Sequence, residues 1–160
     1  MLKKELNMMT IGIDPGKSGG IVFIKNHSVA NAFKCPETPR DIVSLIRHET
    51  KGFRKKRAMI EKVHSMPRDG VVSAFSFGCN YGTWLGILSA MNIPFQQVSP
   101  QKWQKYYGKL PKEKKSRKHK LKQLAFDLYP GAKNTLATAD AILIGHYYIN
   151  LGIVNAGIFK

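Results

Sequence analysis

The pattern of apolar and polar positions changes period several times along these 160 residues. Residues 9–16 and 20–25 alternate or run apolar and are separated by Pro and Gly, which predicts two strands joined by a tight turn. Residues 27–33 predict a third strand after a turn at Lys25-Asn26. The breaker cluster Cys35-Pro36-Glu37-Thr38-Pro39 follows. Thr38 is placed to cap a helix with Pro39 at its first position and Ile42, Leu45 and Ile46 on its inner face. Residues 51–57 predict a basic loop, and residues 58–63 another strand. A long helix is predicted over residues 69–91, with apolar positions on more than one face.

Gly78, Gly82 and Gly86 recur every fourth residue, so they share one side of that helix. Glycine costs about 1 kcal/mol per helical site. The spacing therefore predicts close approach of another backbone, either the chain's own sheet or a second copy. Residues 95–98 predict a strand, and Ser99-Pro100 a short helix carrying Trp103 and Tyr106. Residues 113–129 predict a helix with Leu121, Leu124, Ala125 and Leu128 inward, stopped by Pro130-Gly131. Thr135 or Thr138 caps a last helix that aligns Asp140, Ile144, Tyr147 and Leu151. The whole is a single α/β domain over residues 1–160, with a sheet of about five strands flanked by helices.

Charge changes the picture. Lys and Arg number 26 against 10 acids, a net charge of +16. Such an excess repels itself unless a polyanion neutralises it, and nucleic acid is the leading partner. A membrane surface fits less well, because no basic helix has a clean apolar face, and no apolar run is long enough to span a bilayer. Cys35 and Cys79 lack metal-site spacing and predict two buried hydrophobes in a reducing compartment. The polar start MLKKELNMMT supplies no secretory h-region, so a cytoplasmic location is expected.

With only ten acids, position is informative. Asp14 ends the first strand, Glu61 lies between Ile60 and Val63, and Asp140 lies between Ala139 and Ala141. Each has a local explanation: Asp14 as a turn former, Glu61 paired with Lys62, Asp140 favoured by a helix N-terminus. One shared site explains all three. Clustered buried carboxylates are tolerated when divalent cations neutralise them. Mg2+ prefers a few carboxylates plus water and phosphate. Two such ions clamp a phosphodiester, one at the attacking and one at the leaving oxygen.

The segments "IGIDPGKSGGIVFI", "MIEKVHSMP", "SFGCNYGTWLGIL", "IPFQQVSPQKWQKYYG" and "ATADAILIGHYY" occur in this order over nearly the whole chain. Together they resemble the RuvC family of Holliday junction resolvases, and most closely its bacteriophage and prophage branch. The resemblance implies an RNase H-like fold and a homodimer formed through the long helix, with Gly78, Gly82 and Gly86 at the seam. It implies symmetric cleavage of four-way DNA junctions with Mg2+ or Mn2+, leaving 5′-phosphate and 3′-hydroxyl ends. It makes Asp14, Glu61 and Asp140 the metal ligands, with two ions per site. It also makes Lys115 the nearest match to an active-site lysine, and Lys102 or Lys105 a DNA contact. A phage origin would place the protein in the cytoplasm of a bacterial host. One feature departs from the family, which carries a further Asp or His three to five residues before the last-helix acid. Here Thr135-Leu136-Ala137 has neither, and Asn134 and Thr135 offer only neutral oxygens, so the second ion is expected to bind weakly. His146, about 240° round the helix from Asp140, is off its face.

Residues 102–122 hold ten Lys or Arg and one acid, Glu113. Beside a phosphodiester site these predict phosphate contacts, from Lys114, Lys115 and Lys118 near the metals and from Lys102 and Lys105. Arg54, Lys55, Lys56 and Arg57 are candidates for gripping a second arm. His64 is expected in a loop near DNA, with a ligand or proton-transfer role as the alternative. Trp103, Tyr106 and Tyr107 are predicted to be core rather than base-stacking residues. Met66 and Phe75 are candidate wedges for an opened junction. Two rival classes stand beside the nuclease. One is a non-catalytic junction-binding protein. The other is an actin-like ATPase, whose phosphate turn "IGIDPGKSGG" also resembles; it needs a second Gly-rich acidic turn that this chain lacks, so no nucleotide cofactor is predicted.

Overall fold

The computed structural model describes residues 7–26, 28–62 and 70–157. Its elements, in order, are β1 (Met8–Asp14), β2 (Gly20–Lys25), β3 (Ser28–Lys34), α1 (Pro39–Glu49), β4 (Lys55–Glu61), α2 (Val71–Ala90), β5 (Phe95–Val98), α3 (Pro100–Tyr106), α4 (Lys114–Leu128) and α5 (Ala139–Gly157). The five strands form one mixed sheet in the order β3-β2-β1-β4-β5. β1 runs antiparallel to β2, and β2 to β3, whereas β1 and β4, and β4 and β5, are parallel. The α/β expectation and the number of strands hold.

Strand periodicity divides the interior in two. Ile11, Ile13, Ile21, Phe23, Ala58 and Ile60 point to one face, where Ile42 and Ile46 of α1 and Trp84, Ile87 and Leu88 of α2 cover them. Val22, Ile24 and Met59 point to the other, beneath Trp103 of α3, Leu121 and Ala125 of α4, and most of α5. α5 is buried nearly all round through Ala141, Ile142, Leu143, Ile144, Tyr147 and Ile149, as an all-round apolar helix must be.

Close backbone approach occurs where α5 crosses β1. A Cβ on Gly12 would stand 2.3 Å from the Ala141 carbonyl oxygen and 2.6 Å from the Gly145 amide nitrogen. One residue pair beyond the hairpin, a Cβ on Gly20 would stand 2.4 Å from the Ala137 carbonyl oxygen. These contacts press α5 and its entry loop onto the strands. The stripe on α2 is different. Added Cβ atoms at Gly78, Gly82 and Gly86 meet nothing within 4 Å among the described residues, so packing on the protein's own sheet is not their role. Only the second half of α2 reaches the core. In the first half Val71 is 86% and Phe75 74% exposed.

Four further expectations are corrected. β4 begins at Lys55, so Lys55, Lys56 and Arg57 belong to a strand and not a loop, opposite Met8, Met9 and Thr10. Arg57 is held there by its Nε bond to Thr10 Oγ1 (3.1 Å) and by the Tyr148 ring. Glu113 is not a helical residue but the cap of α4, accepting from the Lys115 and Ser116 amides at 2.8 and 2.6 Å. Leu128 is exposed rather than inward, and Cys79 is exposed while Cys35 is buried. No helix among the described residues is long and apolar enough to cross a membrane.

Gly12→Ala is expected to destabilise the protein by about 3 kcal/mol or more, since only backbone can yield. Gly145→Ala should cost less, because its Cβ meets the side-chain end of Ile24 at 2.8 Å and Ala favours the helix by about 1 kcal/mol. Gly82→Ala should leave the protomer's own packing unstrained, because its Cβ meets nothing within 4 Å among the described residues. Thermal unfolding of the three variants checks the order; equal midpoints for Gly12→Ala and Gly82→Ala contradict the packing described.

Candidate metal centre

The parallel register of β1 and β4 sets Ile13 beside Ile60. The next residues, Asp14 and Glu61, close their strands at the same edge of the sheet, on neighbouring strands about 4.8 Å apart. Both point to the face that α5 covers. Asp140 lies in the first turn of α5. The entry loop fixes that turn. Thr138 Oγ1 accepts from the Thr135 amide (2.9 Å) and donates to the Lys133 carbonyl (2.7 Å), and the Thr135 carbonyl accepts from the Ala139 amide (3.0 Å). Thr135 and Thr138 thus organise the helix start jointly.

The electrostatics show that the three acids form one group. Burial pushes the Asp14 carboxyl well above the usual range, and the charges of Glu61 and Asp140 push it further, against Lys118. Burial raises Glu61 to about 7, opposed by the Trp103 hydrogen bond and reinforced by Asp140. Burial raises Asp140 to about 6, opposed by Lys118 and Arg117. No salt bridge among the described residues involves any of them, so Glu61 is not paired with Lys62.

Two buried side chains that sequence patterning assigned only to the core touch this group. Trp103 Nε1 donates to Glu61 Oε2 at 2.6 Å. Cys35 Sγ donates to the Asp14 carbonyl at 3.2 Å, while its amide bonds Gly19 O at 3.0 Å. Burial and the Asp14 charge push the Cys35 thiol up to about 12, so it remains neutral. Neither contact has a sequence-local signal. The only hint is that a buried indole N–H, a donor and never an acceptor, needs an acceptor somewhere.

The donor set fits hard divalent cations. Among the described residues no three Asp, Glu, His or Cys side chains close round a single point, so an all-protein cage is not what the site offers. Mg2+ is usually held by one or two carboxylates, with water and substrate phosphate completing the shell. Asp14 flanked by Glu61 and by Asp140 matches that mode. Among the described residues no further Asp, Glu, His or Cys completes the group, and the buried oxygen left without a hydrogen-bond partner is the neutral Asn134 Oδ1. Thr135 Oγ1 accepts from the Ala137 and Thr138 amides, and Asn134 Nδ2 donates to the Lys122 carbonyl at 2.7 Å. His146 Nδ1 bonds the Tyr129 hydroxyl at 2.8 Å.

Among the basic residues, Lys118 acts on Asp14 and Asp140, and Arg117 on Asp140. Lys115 and Lys118 are both exposed, but only the Lys118 charge is felt by the carboxylates. Lys102, Lys105 and Lys114 are exposed. Arg54, Lys55 and Lys56 lie at the start of β4, at the opposite end of the strand from Glu61 and about 20 Å away. Trp103 is fully buried, Tyr107 donates its hydroxyl to the Leu143 carbonyl (2.6 Å), and Tyr106 is exposed at the edge of the same aromatic cluster. His64 and Met66 lie outside the described residues. A groove of about 460 Å³ runs from Asp14 along the turn after β1 to the first half of α2, past Lys17, Ser18, Ser73, Phe77 and Asn80.

No family model and no curated protein matches the chain. Solved structures do. Thermus thermophilus RuvC in complex with a Holliday junction substrate is 17% identical with a TM-score of 0.58, covering 91% of this chain and 96% of that one. A second Thermus thermophilus RuvC structure is 18% identical with a TM-score of 0.59, covering 91% and 97%. The chain has the RuvC-like, RNase H-like α/β fold.

The raised carboxyls set a pH dependence. Folded Glu61 and Asp140 hold protons that the unfolded chain has released, so the metal-free protein loses stability as pH rises from about 4 to 7. The Glu61 contribution is on the order of 3 kcal/mol. Thermal melts of the wild type and Glu61→Gln from pH 4.5 to 8 isolate it from the change in net charge. The wild type should lose ground to the variant as pH rises, and Mg2+ or Mn2+ should restore it, most at high pH. A difference independent of pH contradicts the clustered site.

Proposed function

We propose that this chain is a divalent-metal-dependent, structure-selective DNA endonuclease that resolves four-way and other branched DNA junctions as a homodimer. The observation that carries this is the convergence of Asp14, Glu61 and Asp140, brought from two strands and a helix into one desolvated group on a RuvC-like fold. Support comes also from the solved neighbour, Thermus thermophilus RuvC in complex with a Holliday junction substrate, and from the net charge of +16. The phage and prophage branch and the cytoplasm of a bacterial host are finer placements, carried by the sequence motifs.

Asp14 with Glu61, and Asp14 with Asp140, would hold Mg2+ or Mn2+. When bound, such ions neutralise the carboxylates, activate water and stabilise the leaving oxygen of a phosphodiester. The second ion is the weaker, since Thr135 Oγ1 already accepts from the Ala137 and Thr138 amides and Asn134 Oδ1, buried and without a hydrogen-bond partner among the described residues, is a neutral oxygen and not a carboxylate. Lys118, already facing the acids, takes the phosphate-neutralising role expected of Lys115, with Arg117 beside it. Lys102, Lys105, Lys114 and Lys115 contact the flanking backbone electrostatically. Arg54, Lys55 and Lys56 sit too far from the acids for the scissile phosphate and are placed for a second arm.

The open stripe Gly78, Gly82 and Gly86 with its exposed apolar neighbours provides a surface for a two-fold partner, which sets two sites against two equivalent strands. The second reading, a weakly catalytic or non-catalytic branched-DNA-binding protein, is favoured by one observation only, the absence of the further ligand.

A synthetic four-way junction tests the proposal. With Mg2+ or Mn2+ the wild type should make paired nicks. Asp14→Asn should bind and not cut, Lys118→Ala should cut about 10- to 1,000-fold more slowly, and Lys115→Ala nearly normally. Binding by the wild type without nicks favours the second reading. Gly82→Leu, whose Cβ meets nothing within 4 Å among the described residues of the protomer, should sediment as a monomer and lose paired nicking; a dimeric Gly82→Leu protein contradicts the seam.

A further inference from the structure

The β5–α3 junction holds Glu61 twice. Glu61 pairs with Val98 in the sheet, and the Lys62 amide donates to the Val98 carbonyl at 2.7 Å. The chain then turns at once. Ser99 caps α3, its Oγ accepting from the Lys102 amide at 3.3 Å, and Pro100 occupies the first turn. That turn swings Trp103 back beneath the strand end, where its indole N–H meets Glu61 Oε2 at 2.6 Å. Trp103 is itself immobilised. It is 0% exposed, packs among Val98, Met59 and Ala139, and meets the Tyr107 ring edge-on at 6.2 Å. One short segment thus fixes both the backbone and the side chain of Glu61.

We infer that Trp103 is a positioning residue: its N–H commits Oε2 of Glu61 and leaves Oε1 as the oxygen that a cation takes from this side chain. The inference rests on Glu61 being a metal ligand. A glutamate has three side-chain torsions, and ordering them at the moment of metal binding costs free energy. The indole removes that freedom in advance. Oε1, which does not carry the indole hydrogen bond, would then be the better donor to a cation. In a site without the further protein ligand, that control over the remaining donors carries more of the metal's placement. Partners that orient a ligand from behind typically contribute 10- to 100-fold in metal affinity or activity.

Two measurements test this. Trp103→Phe keeps the ring and removes the donor. It should bind the junction as the wild type does and require about 10- to 100-fold more Mg2+ for half-maximal cleavage, whereas a merely packing role predicts an unchanged metal dependence. The second measurement does not depend on that variant folding. The chain has two tryptophans, and the other, Trp84, has a buried N–H with no partner among the described residues, so Trp84→Phe removes no hydrogen bond seen there. Emission from the Trp84→Phe protein then reports Trp103 alone. It should shift on adding Mg2+, and the shift should vanish when Glu61→Gln is added. A wild type that cuts junctions with Mg2+ alongside silent Trp103 emission, or alongside a Trp103→Phe protein of normal metal dependence, overturns the positioning role only. A wild type that neither cuts nor responds to metal overturns the nuclease reading and this inference together.

Discussion

Backbone lies directly on backbone where α5 crosses β1. Gly12 leaves no room for a Cβ beneath Ala141 and Gly145, and Gly20 leaves none beneath Ala137. Any side chain at these positions would lift the helix from the strand. Because the helix is held down at Gly12 and its entry loop at Gly20, the first turn of α5 lands beside the end of β1. Asp140 is thereby delivered next to Asp14, while the parallel β1–β4 register delivers Glu61 from the other side. The site is the meeting of three element ends, and the contact at Gly12 sets its dimensions.

That contact imposes an electrostatic burden. Three carboxylates withdrawn from water, each raised chiefly by burial, would each favour the protonated form in isolation. The surroundings answer with Lys118 and Arg117 on α4, with the Trp103 indole under Glu61, and with an excess of cationic residues over the whole surface. None of these is a salt bridge to the acids among the described residues. The arrangement leaves the carboxylates without ion-pair partners among the described residues while Lys118 and Arg117 act on them from α4.

Much of this was legible before any coordinates. β5 and α3 begin and end where the residue pattern places them, because Pro94 and Ser99-Pro100 punctuate the chain on either side. The three acids stood out because each interrupts an apolar run. What stayed hidden was non-local or depended on register. The resemblance offered Lys115 as the nearest match to an active-site lysine without fixing the register of α4, whereas Lys118 is the lysine of that helix whose charge reaches Asp14 and Asp140. The regular glycines of α2 left open a close approach to the chain's own sheet or to a second copy; the approach within the protomer is made by Gly12 and Gly145 instead, each unremarkable in its own segment. Lys55 to Arg57 looked like loop because a strand's polar start is indistinguishable from one when apolar cover begins only at Ala58. Glu61 and Trp103 lie 42 positions apart, and no local pattern links them.

The most direct test of the central claim is a crystal structure of the protein grown with Mn2+ and recorded at the manganese absorption edge. The account predicts anomalous density lying between Asp14 and its neighbours Glu61 and Asp140, with Glu61 still bound to Trp103. Manganese found only elsewhere, with the three carboxylates turned apart toward bulk water, would contradict it.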